Sequence, residues 1–372
     1  MKALVLGKGK SGTSAATLLR SQGYEVDFAD GYDCVVTSPG LRTKSELQLG
    51  CEELKRRGWK LLAVTGSKGK SSVVKVVADA IGGVPCGNYG CPVTELVSEK
   101  PGWAVVEVSS FQLETTTLPP DTFEAAAILN LQEDHLDRHG SVEVYHGLKR
   151  KLLGMTRHPI DADGSPLDKR PGDRFPSLWA CSYFDNEILA GTAAIAVELM
   201  RVAGLDDAKI ATAFKAFRPL PHRMNLVAEV DGVRYIDDSK ATSVAALIAG
   251  VKMASSGIRT FEHSNIRTIL LIAGGLPKGD DPKTALATLT ERVKKVYLIG
   301  QSAEAFFVAW KGAVDCEICG TMDTAVETAR REAEKGETVL LSPGTASFDQ
   351  FKSYGERGDV FARLVKEKGQ PK

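Results

Sequence analysis

The sequence has neither a net charge nor a long apolar segment. Lysine and arginine together number 47, as do aspartate and glutamate, so the formal net charge is zero. This balance gives no indication of a nucleic-acid or membrane-surface partner, because both favour a basic surface. No apolar run approaches the roughly 20 residues of a membrane span, and residues 3–6 read as a strand rather than as part of a signal peptide. We expect a cytoplasmic protein whose partners are small molecules.

Cysteine is also scarce, with seven residues scattered over 372 positions, which excludes a disulfide framework. Cys316 and Cys319 form a single C-x-x-C without a second pair or a nearby histidine, so we expect free thiols rather than a zinc site. The length predicts two to three domains, and the composition of 43% apolar and 25% charged residues is that of a globular protein.

The N-terminal segment, residues 1–59, contains too few residues for a complete dinucleotide-binding domain. A strand, the turn "GKGKSG", a helix and the strand "YEVDFAD" give a G-x-G-x-x-G turn with Asp30 placed as in a dinucleotide fingerprint. Taken alone, this pattern indicates an NAD-dependent dehydrogenase. The next strand, "CVVTSPG", follows at once, however, and "LLAVTG" begins near residue 60. We expect a small Rossmann-like unit whose glycine turn holds phosphates.

Strands and helices alternate through the rest of the chain, which predicts parallel sheets covered by helices. Residues 60–218 form a central domain, in which 156–186 read as an irregular excursion or hairpin and 190–203 as a helix. Residues 218–225, "RPLPHRMN", read as a linker, and 219–372 form a third α/β unit. The predicted fold is therefore α/β with three domains: a small Rossmann-like unit, a central P-loop ATPase domain and a C-terminal Rossmann-like domain.

The segment "AVTGSKGKSS", residues 63–72, predicts a phosphate-binding loop between a buried strand and an amphipathic helix. Glycines let the backbone close around a phosphate, the lysine supplies charge, and a serine hydroxyl can reach Mg²⁺. Val64 replaces the first glycine of the usual pattern, so a plain glycine turn is the alternative. The predicted ATP-binding residues here are Gly66, Ser67, Lys68, Gly69, Lys70, Ser71 and Ser72.

Charged side chains at the ends of the next two strands are candidates for chemistry. Glu107 interrupts the apolar run "WAVVEVSS", and a buried carboxylate is costly unless it is paired or bound to a metal. The alternative is an edge strand with Glu107 facing water. His135, in "NLQEDHLDRH", is a possible metal ligand, and Lys149, in "YHGLKRK", would by composition be a solvated helix residue.

Seven motifs in order, "TGSKGKSS", "EVSSFQLE", "NLQEDHLDRH", "YHGLK", "LPHR", "DDSKATS" and "SPGTASFDQF", resemble those of the Mur ligases over nearly the whole chain. The similarity is greatest to the members that add D-glutamate. In that family the phosphate loop lacks the first glycine, which favours Lys70 as a phosphate lysine. The resemblance implies domains for UDP, for ATP and for the incoming amino acid. It also implies a monomer that couples UDP-N-acetylmuramoyl-L-alanine to D-glutamate through an acyl phosphate.

The resemblance further implies two Mg²⁺ ions and a set of site residues. Lys70, Glu107, His135 and Lys149 are catalytic; Ser71 and Glu107 hold one Mg²⁺, and His135 and Lys149 serve the second. The matching lysine of the family is carbamylated, which makes it an oxygen ligand. Arg223 and Asp238 match nucleotide contacts of the C-terminal domain. The implied UDP-substrate contacts are Lys10, Ser11, Gly40, Asn88 and Ser109; the implied D-glutamate contacts are Asp134, Lys240, Thr242, Lys278, Ser347, Phe348 and Tyr354.

The sequence departs from the family in its short first domain, in its short excursion after Lys149, and in the helix near Thr192, which lacks the asparagine pair that meets adenine. Three alternatives therefore stay open: a related ligase with another acceptor or amino acid, a non-catalytic nucleotide-binding homologue, and the NAD-dependent dehydrogenase. The dehydrogenase leaves the phosphate loop unexplained.

Overall fold

The computed structural model describes residues 2–30, 34–37, 42–133, 135–162, 176–180, 182–186, 188–256 and 268–367. The chain divides into two compact units, one formed by residues 1–185 and 189–217 and the other by residues 186–188 and 218–372. The three predicted domain ranges stay predictions. Short 3-10 helices lie at Val93–Ser98, Leu152–Met155 and Pro282–Ala285.

The first unit begins with a four-stranded sheet in the order β2-β1-β3-β4. Strands β1 and β2 are parallel, whereas β3 is antiparallel to both β1 and β4. Only residues 30–33 separate β2 from β3, which is too short for the crossover that a parallel strand needs. The Rossmann-like part is therefore limited to β1–α1–β2. The elements are β1 Lys2–Leu6, α1 Lys10–Ser21, β2 Glu25–Ala29, β3 Cys34–Thr37, β4 Arg42–Ser45 and α2 Glu46–Arg56.

A five-stranded sheet in the order β6-β7-β5-β8-β9 follows, and all of its pairings are parallel. This confirms the predicted parallel central sheet. Its elements are β5 Lys60–Thr65, α3 Lys70–Ile81, β6 Val84–Gly87, β7 Trp103–Glu107, α4 Ser110–Thr115, β8 Phe123–Ile128, α5 Leu136–His139, α6 Val142–Lys151, β9 Thr156–Asp161, α7 Pro176–Trp179, α8 Ala190–Val202 and α9 Asp207–Ala216.

Strand β5 lies at the centre of this sheet, and its residues 61–64 are fully buried. A parallel strand covered on both faces reads as a continuous apolar run, as "LLAV" does. The carboxyl ends of β5, β7 and β8 lie at one edge of the sheet, where ligands of open α/β sheets bind. Residues 66, 108 and 129 therefore begin three neighbouring loops.

The second unit has a six-stranded sheet in the order β10-β11-β15-β12-β13-β14. Only the β10–β11 pairing is antiparallel among the pairings described. Apolar clusters cover both faces of the sheet. The elements are β10 Asn225–Val230, β11 Val233–Asp237, α10 Val244–Ser256, β12 Ile269–Gly274, α11 Leu286–Arg292, β13 Val293–Ile299, α12 Ala303–Trp310, β14 Asp315–Gly320, α13 Met322–Glu332, β15 Thr338–Leu341 and α14 Tyr354–Glu367.

The segment predicted as an irregular excursion contains two regular elements. Strand β9 pairs in parallel with β8, and α7 follows at Pro176–Trp179; residues 163–175 lie outside the described ranges. Cys316 and Cys319 are free, as expected, and burial raises the pKa of each thiol to about 11. Within the described residues, no helix combines the length and apolarity needed to cross a membrane.

Candidate active site

The phosphate loop connects β5 to α3 through two glycines in conformations that other residues rarely adopt. Gly66 has a φ of 148° and Gly69 a φ of 85°. A Cβ on Gly66 would lie 3.0 Å from Cβ of Leu129, and one on Gly69 would lie 3.3 Å from Oγ1 of Thr192. Helix α3 begins directly at Lys70, so the loop directs the free N–H groups of the helix start into one place.

The loop is held by hydrogen bonds from the segment after β8. Asn130 accepts from the Lys68 N–H through Oδ1 at 2.9 Å and donates from Nδ2 to the Lys68 carbonyl at 3.0 Å. Its own carbonyl accepts from the Ser67 N–H at 3.0 Å. The Ser67 hydroxyl accepts from the Gln132 N–H at 3.0 Å and lies 3.2 Å from the hydroxyl of Tyr145. The loop is therefore fixed from outside its own sequence.

Two lysines donate to the same carbonyl of this loop. Lys70 Nζ lies 2.9 Å from the Gly66 carbonyl oxygen and 3.2 Å from that of Ser67. Lys149 Nζ lies 3.0 Å from the Gly66 carbonyl oxygen and 4.5 Å from the ring centre of Tyr145. Lys149 is only 1% exposed, so the prediction from composition that its side chain is solvated is wrong. The Nζ atoms of both lysines therefore converge on the Gly66 carbonyl, next to the start of α3.

Glu107 lies at the carboxyl end of β7 and is 2% exposed, so it does not face water. Its Oε1 accepts from Nδ2 of Asn88 at 2.8 Å, and its carbonyl accepts from the Asn88 N–H at 2.9 Å. Its Oε2 is buried and has no hydrogen-bond partner among the described residues. Glu107 pairs across the sheet with Val64, two residues before the phosphate loop. An unpaired buried carboxylate oxygen there fits a cation.

Two serines lie in the first turn of α3, which follows the strand next to β7. Ser72 is buried, and Ser71 is half-buried in the first turn of the helix. Within the described ranges, no three His, Cys, Asp or Glu side chains are grouped so as to hold a metal. The available donors, a carboxylate and hydroxyls, are those that Mg²⁺ prefers when phosphates and water supply its remaining ligands.

His135 lies at the start of α5 within a group of aromatic rings. Its φ is 52°, and its ring meets that of Phe111 edge-on at 5.1 Å between centres. His139, one turn later, is buried; its Nε2 lies 3.0 Å from the Ser110 hydroxyl, and its Nδ1 lies 3.4 Å from the Glu114 carboxylate. Burial lowers the pKa of His139, with Glu114 opposing that shift. A neutral His139 at pH 7 therefore supports the α4–α5 packing.

The residues predicted to contact the UDP substrate are spread over the first unit. Lys10 is exposed at the start of α1, and Ser11 is half-buried beside it. A cavity of about 770 Å³ runs along α1 and is lined by Lys10. The Ser109 hydroxyl instead caps α4, accepting from the Gln112 N–H at 3.3 Å in a capping box. Gly40 lies outside the described residues.

In the second unit, Asp238 is buried directly after β11. Its Oδ2 accepts from the Ser342 hydroxyl at 2.9 Å. Burial raises the pKa of Asp238 to about 7, while this hydrogen bond and the Arg223 cation oppose the shift. Arg223 and Asp238, the two predicted nucleotide contacts, thus lie within electrostatic range of each other. Nδ1 of the neighbouring His222 forms a hydrogen bond of 2.7 Å with Oδ2 of Asp237.

Most of the residues predicted to bind D-glutamate come from loops after β11, β12 and β15, which are adjacent in the sheet, and Tyr354 begins α14. The loops are joined by hydrogen bonds from the Gly344 N–H to the Ala241 carbonyl at 2.9 Å and from the Leu276 N–H to the Ala346 carbonyl at 2.9 Å. Lys240 Nζ lies 3.9 Å from the ring centre of Tyr354. Thr242 is half-buried, Ser347 is buried, and Lys278 and Phe348 are exposed; Asp134 lies outside the described residues.

Comparison with known families agrees with this geometry. Residues 64–160 match the Mur ligase middle domain, and residues 222–344 match the Mur ligase glutamate ligase domain. The chain is 32% identical to the UDP-N-acetylmuramoylalanine–D-glutamate ligase of Acidobacterium capsulatum, covering 98% of this chain and 96% of that one. It is 33% identical to the corresponding ligase of Nitratidesulfovibrio vulgaris, covering 98% and 95%. This chain belongs to the Mur ligase family.

Solved structures show the same fold. The MurF ligase of Thermotoga maritima, solved in complex with ADP, superimposes with a TM-score of 0.63 at 15% identity, covering 98% of this chain and 95% of that one. The MurC ligase of the same organism superimposes with a TM-score of 0.59 at 14% identity, covering 98% and 99%. The alignment to the Acidobacterium ligase spans 459 positions against 372 residues here, so relatives have segments that this Mur ligase lacks.

Several residues of this Mur ligase that shape the site escape sequence reasoning. Asn130 and Tyr145 hold the phosphate loop, and Asn88, predicted only as a substrate contact, bonds to Glu107. The Ser109 cap had a readable signal, because S-x-x-Q before a short helix is a capping box. Asn130 had none, since its partner is 62 residues away in the sequence.

Proposed function

We propose that this Mur ligase uses ATP to join D-glutamate to UDP-N-acetylmuramoyl-L-alanine in peptidoglycan precursor synthesis. The observation that carries the proposal is the pair Lys70 and Lys149 at one carbonyl of the phosphate loop. The terminal carboxylate of the substrate attacks the γ-phosphate, and ADP leaves. The D-glutamate amine then attacks the acyl carbon and loses a proton, and phosphate leaves as the amide forms.

Lys70 has the clearest role in this reaction. A carboxylate and a triphosphate repel each other, and charge accumulates on the transferred phosphoryl group, so a fixed cation is needed. Lys70 lies at the start of α3, where the backbone N–H groups of Gly69 and Lys70 can add to the same positive field. The loop that holds it is anchored by Asn130, so little reorganisation is required.

We propose two Mg²⁺ positions at the edge of the central sheet. Ser71 and Glu107 would hold one ion, and the unpaired Oε2 of Glu107 supports this assignment. His135 and Lys149 would serve the second. When bound, Mg²⁺ neutralises phosphate charge and so lets a carboxylate approach. Asn88 fixes the other carboxylate oxygen of Glu107 and so aims Oε2.

Lys149 can serve a metal only as a carbamate, because an ammonium group has no lone pair to donate. Carbamylation needs a neutral amine, and the buried position of Lys149 is compatible with that requirement. We predict that Lys149→Ala is nearly inactive and that acetate restores part of the activity in a phosphate-release assay. Lys151→Ala, a substitution at the last residue of the same helix α6, is the control and should retain activity. Full activity of Lys149→Ala without acetate would exclude the carbamate.

We propose that D-glutamate binds to the joined loops of the second unit. Its two carboxylates need donors and positive charge, and the predicted contacts supply both. Asp134 would help to orient the amine. The other contacts are Lys240, Thr242, Lys278, Ser347, the backbone of Phe348 and the ring of Tyr354.

The UDP end of the substrate is proposed to meet the glycine turn of the N-terminal unit. Lys10, Ser11 and Gly40 would contact the diphosphate, with Asn88 and Ser109 nearer the sugar. The Ser109 hydroxyl and N–H both take part in the capping box of α4, so a substrate contact at Ser109 would share these groups with the cap. ATP would also meet Arg223 and Asp238. We also propose that the enzyme is a cytoplasmic monomer.

The deciding experiment is an ADP-release and phosphate-release assay with UDP-N-acetylmuramoyl-L-alanine and ATP. We expect release that requires D-glutamate and is not supported by L-glutamate or other amino acids. Release with a different amino acid would favour a related ligase with another specificity. Nucleotide binding without release under any combination would favour the non-catalytic homologue.

A further inference from the structure

Arg357, in α14, is fully buried, and among the described residues its guanidinium donates only to loops of the second unit. Nε donates to the Ser239 hydroxyl and Nη2 to the Ser239 carbonyl, each at 2.9 Å. Nη1 donates to the carbonyls of Thr345 and Ala346, each at 3.2 Å, and Nη2 donates to that of Thr345 at 3.2 Å. No carboxylate among the described residues accepts from it. Arg357 thus ties the loop after β11 to the loop after β15.

Burying a charged guanidinium costs more free energy than filling the same space with an apolar side chain. Burial lowers the pKa of Arg357 to about 10, with Asp349 and Asp237 opposing the shift, so the side chain stays charged at neutral pH. Buried charges can often be replaced by apolar residues without loss of stability. The fork of the guanidinium, however, satisfies several backbone oxygens at once, which no apolar side chain can do.

The two loops carry the residues assigned to D-glutamate. Ser239 directly precedes Lys240, and Ala346 directly precedes Ser347. The Ser239 hydroxyl, which accepts from Arg357, donates to the Tyr354 carbonyl at 2.8 Å. Tyr354 in turn places its ring 3.9 Å from Lys240 Nζ. One buried cation therefore determines the positions of groups on three segments around the same place.

We propose that Arg357 is a positioning residue of the amino-acid site, which fixes Lys240, Ser347 and Tyr354 and adds positive potential for a dicarboxylic amino acid. This inference rests on the proposed function, because that function assigns D-glutamate to these loops. Arg357 lies behind the loops and acts through them, without contact to the substrate. Among the described residues no carboxylate accepts from the guanidinium; Asp349 and Asp237 offset part of its charge, and the rest adds positive potential that attracts an anion.

The test compares Arg357→Lys and Arg357→Met with Arg363→Lys, an exposed position on the same helix. We expect the KM for D-glutamate to rise about tenfold or more in Arg357→Lys, while the KM values for ATP and the UDP substrate change less than about twofold. Arg357→Met should show a larger rise, and Arg363→Lys should match the wild type. If Arg357→Met does not fold, Ser239→Ala, which breaks the Nε and Tyr354 bonds, replaces it.

A second measurement needs no substrate. Amide hydrogen exchange in residues 239–242 and 345–348 should be faster in Arg357→Lys than in the wild type and unchanged in Arg363→Lys. Equal rises of all three KM values, or unchanged exchange in these loops, would overturn the proposal. If the wild type does not use D-glutamate, the proposed function fails, and the exchange measurement still decides whether Arg357 orders the loops.

Discussion

The chain contains two glycine turns that look alike in sequence but differ in their surroundings. Each follows a strand and precedes a 12-residue helix, α1 in one case and α3 in the other. The turn at residues 66–69 follows a strand with neighbours on both sides in a parallel sheet and is bonded to Asn130. The turn at residues 7–12 follows β1, which has the antiparallel strand β3 beside it, and the side chains of Lys8 and Lys10 are exposed.

The difference shows what a glycine motif does and does not determine. Both turns can present helix N–H groups to a phosphate, which is a local property. The turn at residues 66–69 is joined to buried charged residues, since the buried Lys149 meets Lys70 at Gly66 and the buried Glu107 lies on the adjacent strand. We therefore assign the chemistry to the turn at residues 66–69, the second turn in the chain, whereas the first turn, at residues 7–12, is suited to binding alone.

The strongest way to test this contrast is to remove the charge of the second turn. Lys70→Ala should keep the fold and lower turnover by about a thousandfold or more, because a fixed charge stabilises the transferred phosphoryl group. ADP release and circular dichroism measure the two effects. Lys75→Ala, on the same helix and paired with Asp79, is the control and should remain active. Near-normal turnover of Lys70→Ala would refute the assignment.

A smaller effect should follow from loosening the second turn without changing its charge. Asn130→Ala removes two hydrogen bonds to Lys68, so we expect the KM for ATP to rise about tenfold and the free energy of unfolding to fall by about 1–2 kcal/mol. Steady-state kinetics and urea unfolding measure these changes. Asn130→Asp keeps the acceptor for the Lys68 N–H and should lie between the wild type and alanine. An unchanged KM in Asn130→Ala would show that the anchoring is dispensable.

The smallest effect is expected at the first turn. Lys10→Ala should raise the KM for the UDP substrate a few-fold, with kcat unchanged, because an exposed cation contributes about 1 kcal/mol or less.

The short N-terminal unit should also tolerate bases other than uracil, since lost base contacts cost about 1–3 kcal/mol. Competition by UDP, ADP and free uridine measures this selectivity. Tight, uracil-selective binding would mean that another segment covers the base.

Sequence reasoning predicts the central strands of the two larger sheets and misses the strands at their edges. β5, β8 and β12 are almost wholly buried and read as apolar runs. By contrast, the missed strands are β6, β9, β10 and β14, which lie at the four ends of these sheets. β9 contains Pro159 and polar residues, as edge strands can, so its sequence resembles a loop.

The site divides in the same way. Lys70, Glu107 and Lys149 belong to ordered motifs and could be found from the sequence. Arg357 and Asn130 could not, because their roles depend on partners 118 and 62 residues away. Long-range hydrogen bonds leave no periodic pattern in the sequence.

The strand orders have a consequence for synthesis on the ribosome. In the central sheet of the first unit, β5 is made first, so β7, β8 and β9 each pair with a strand already present, and only β6 waits for the next strand, β7. In the second unit β15 lies between β11 and β12, yet it is the last strand to be made. β11 and β12 must therefore wait for residues 338–341 before either gains its shared neighbour. The nascent second unit therefore exposes unpaired strand edges until then, and such edges can pair wrongly with other chains.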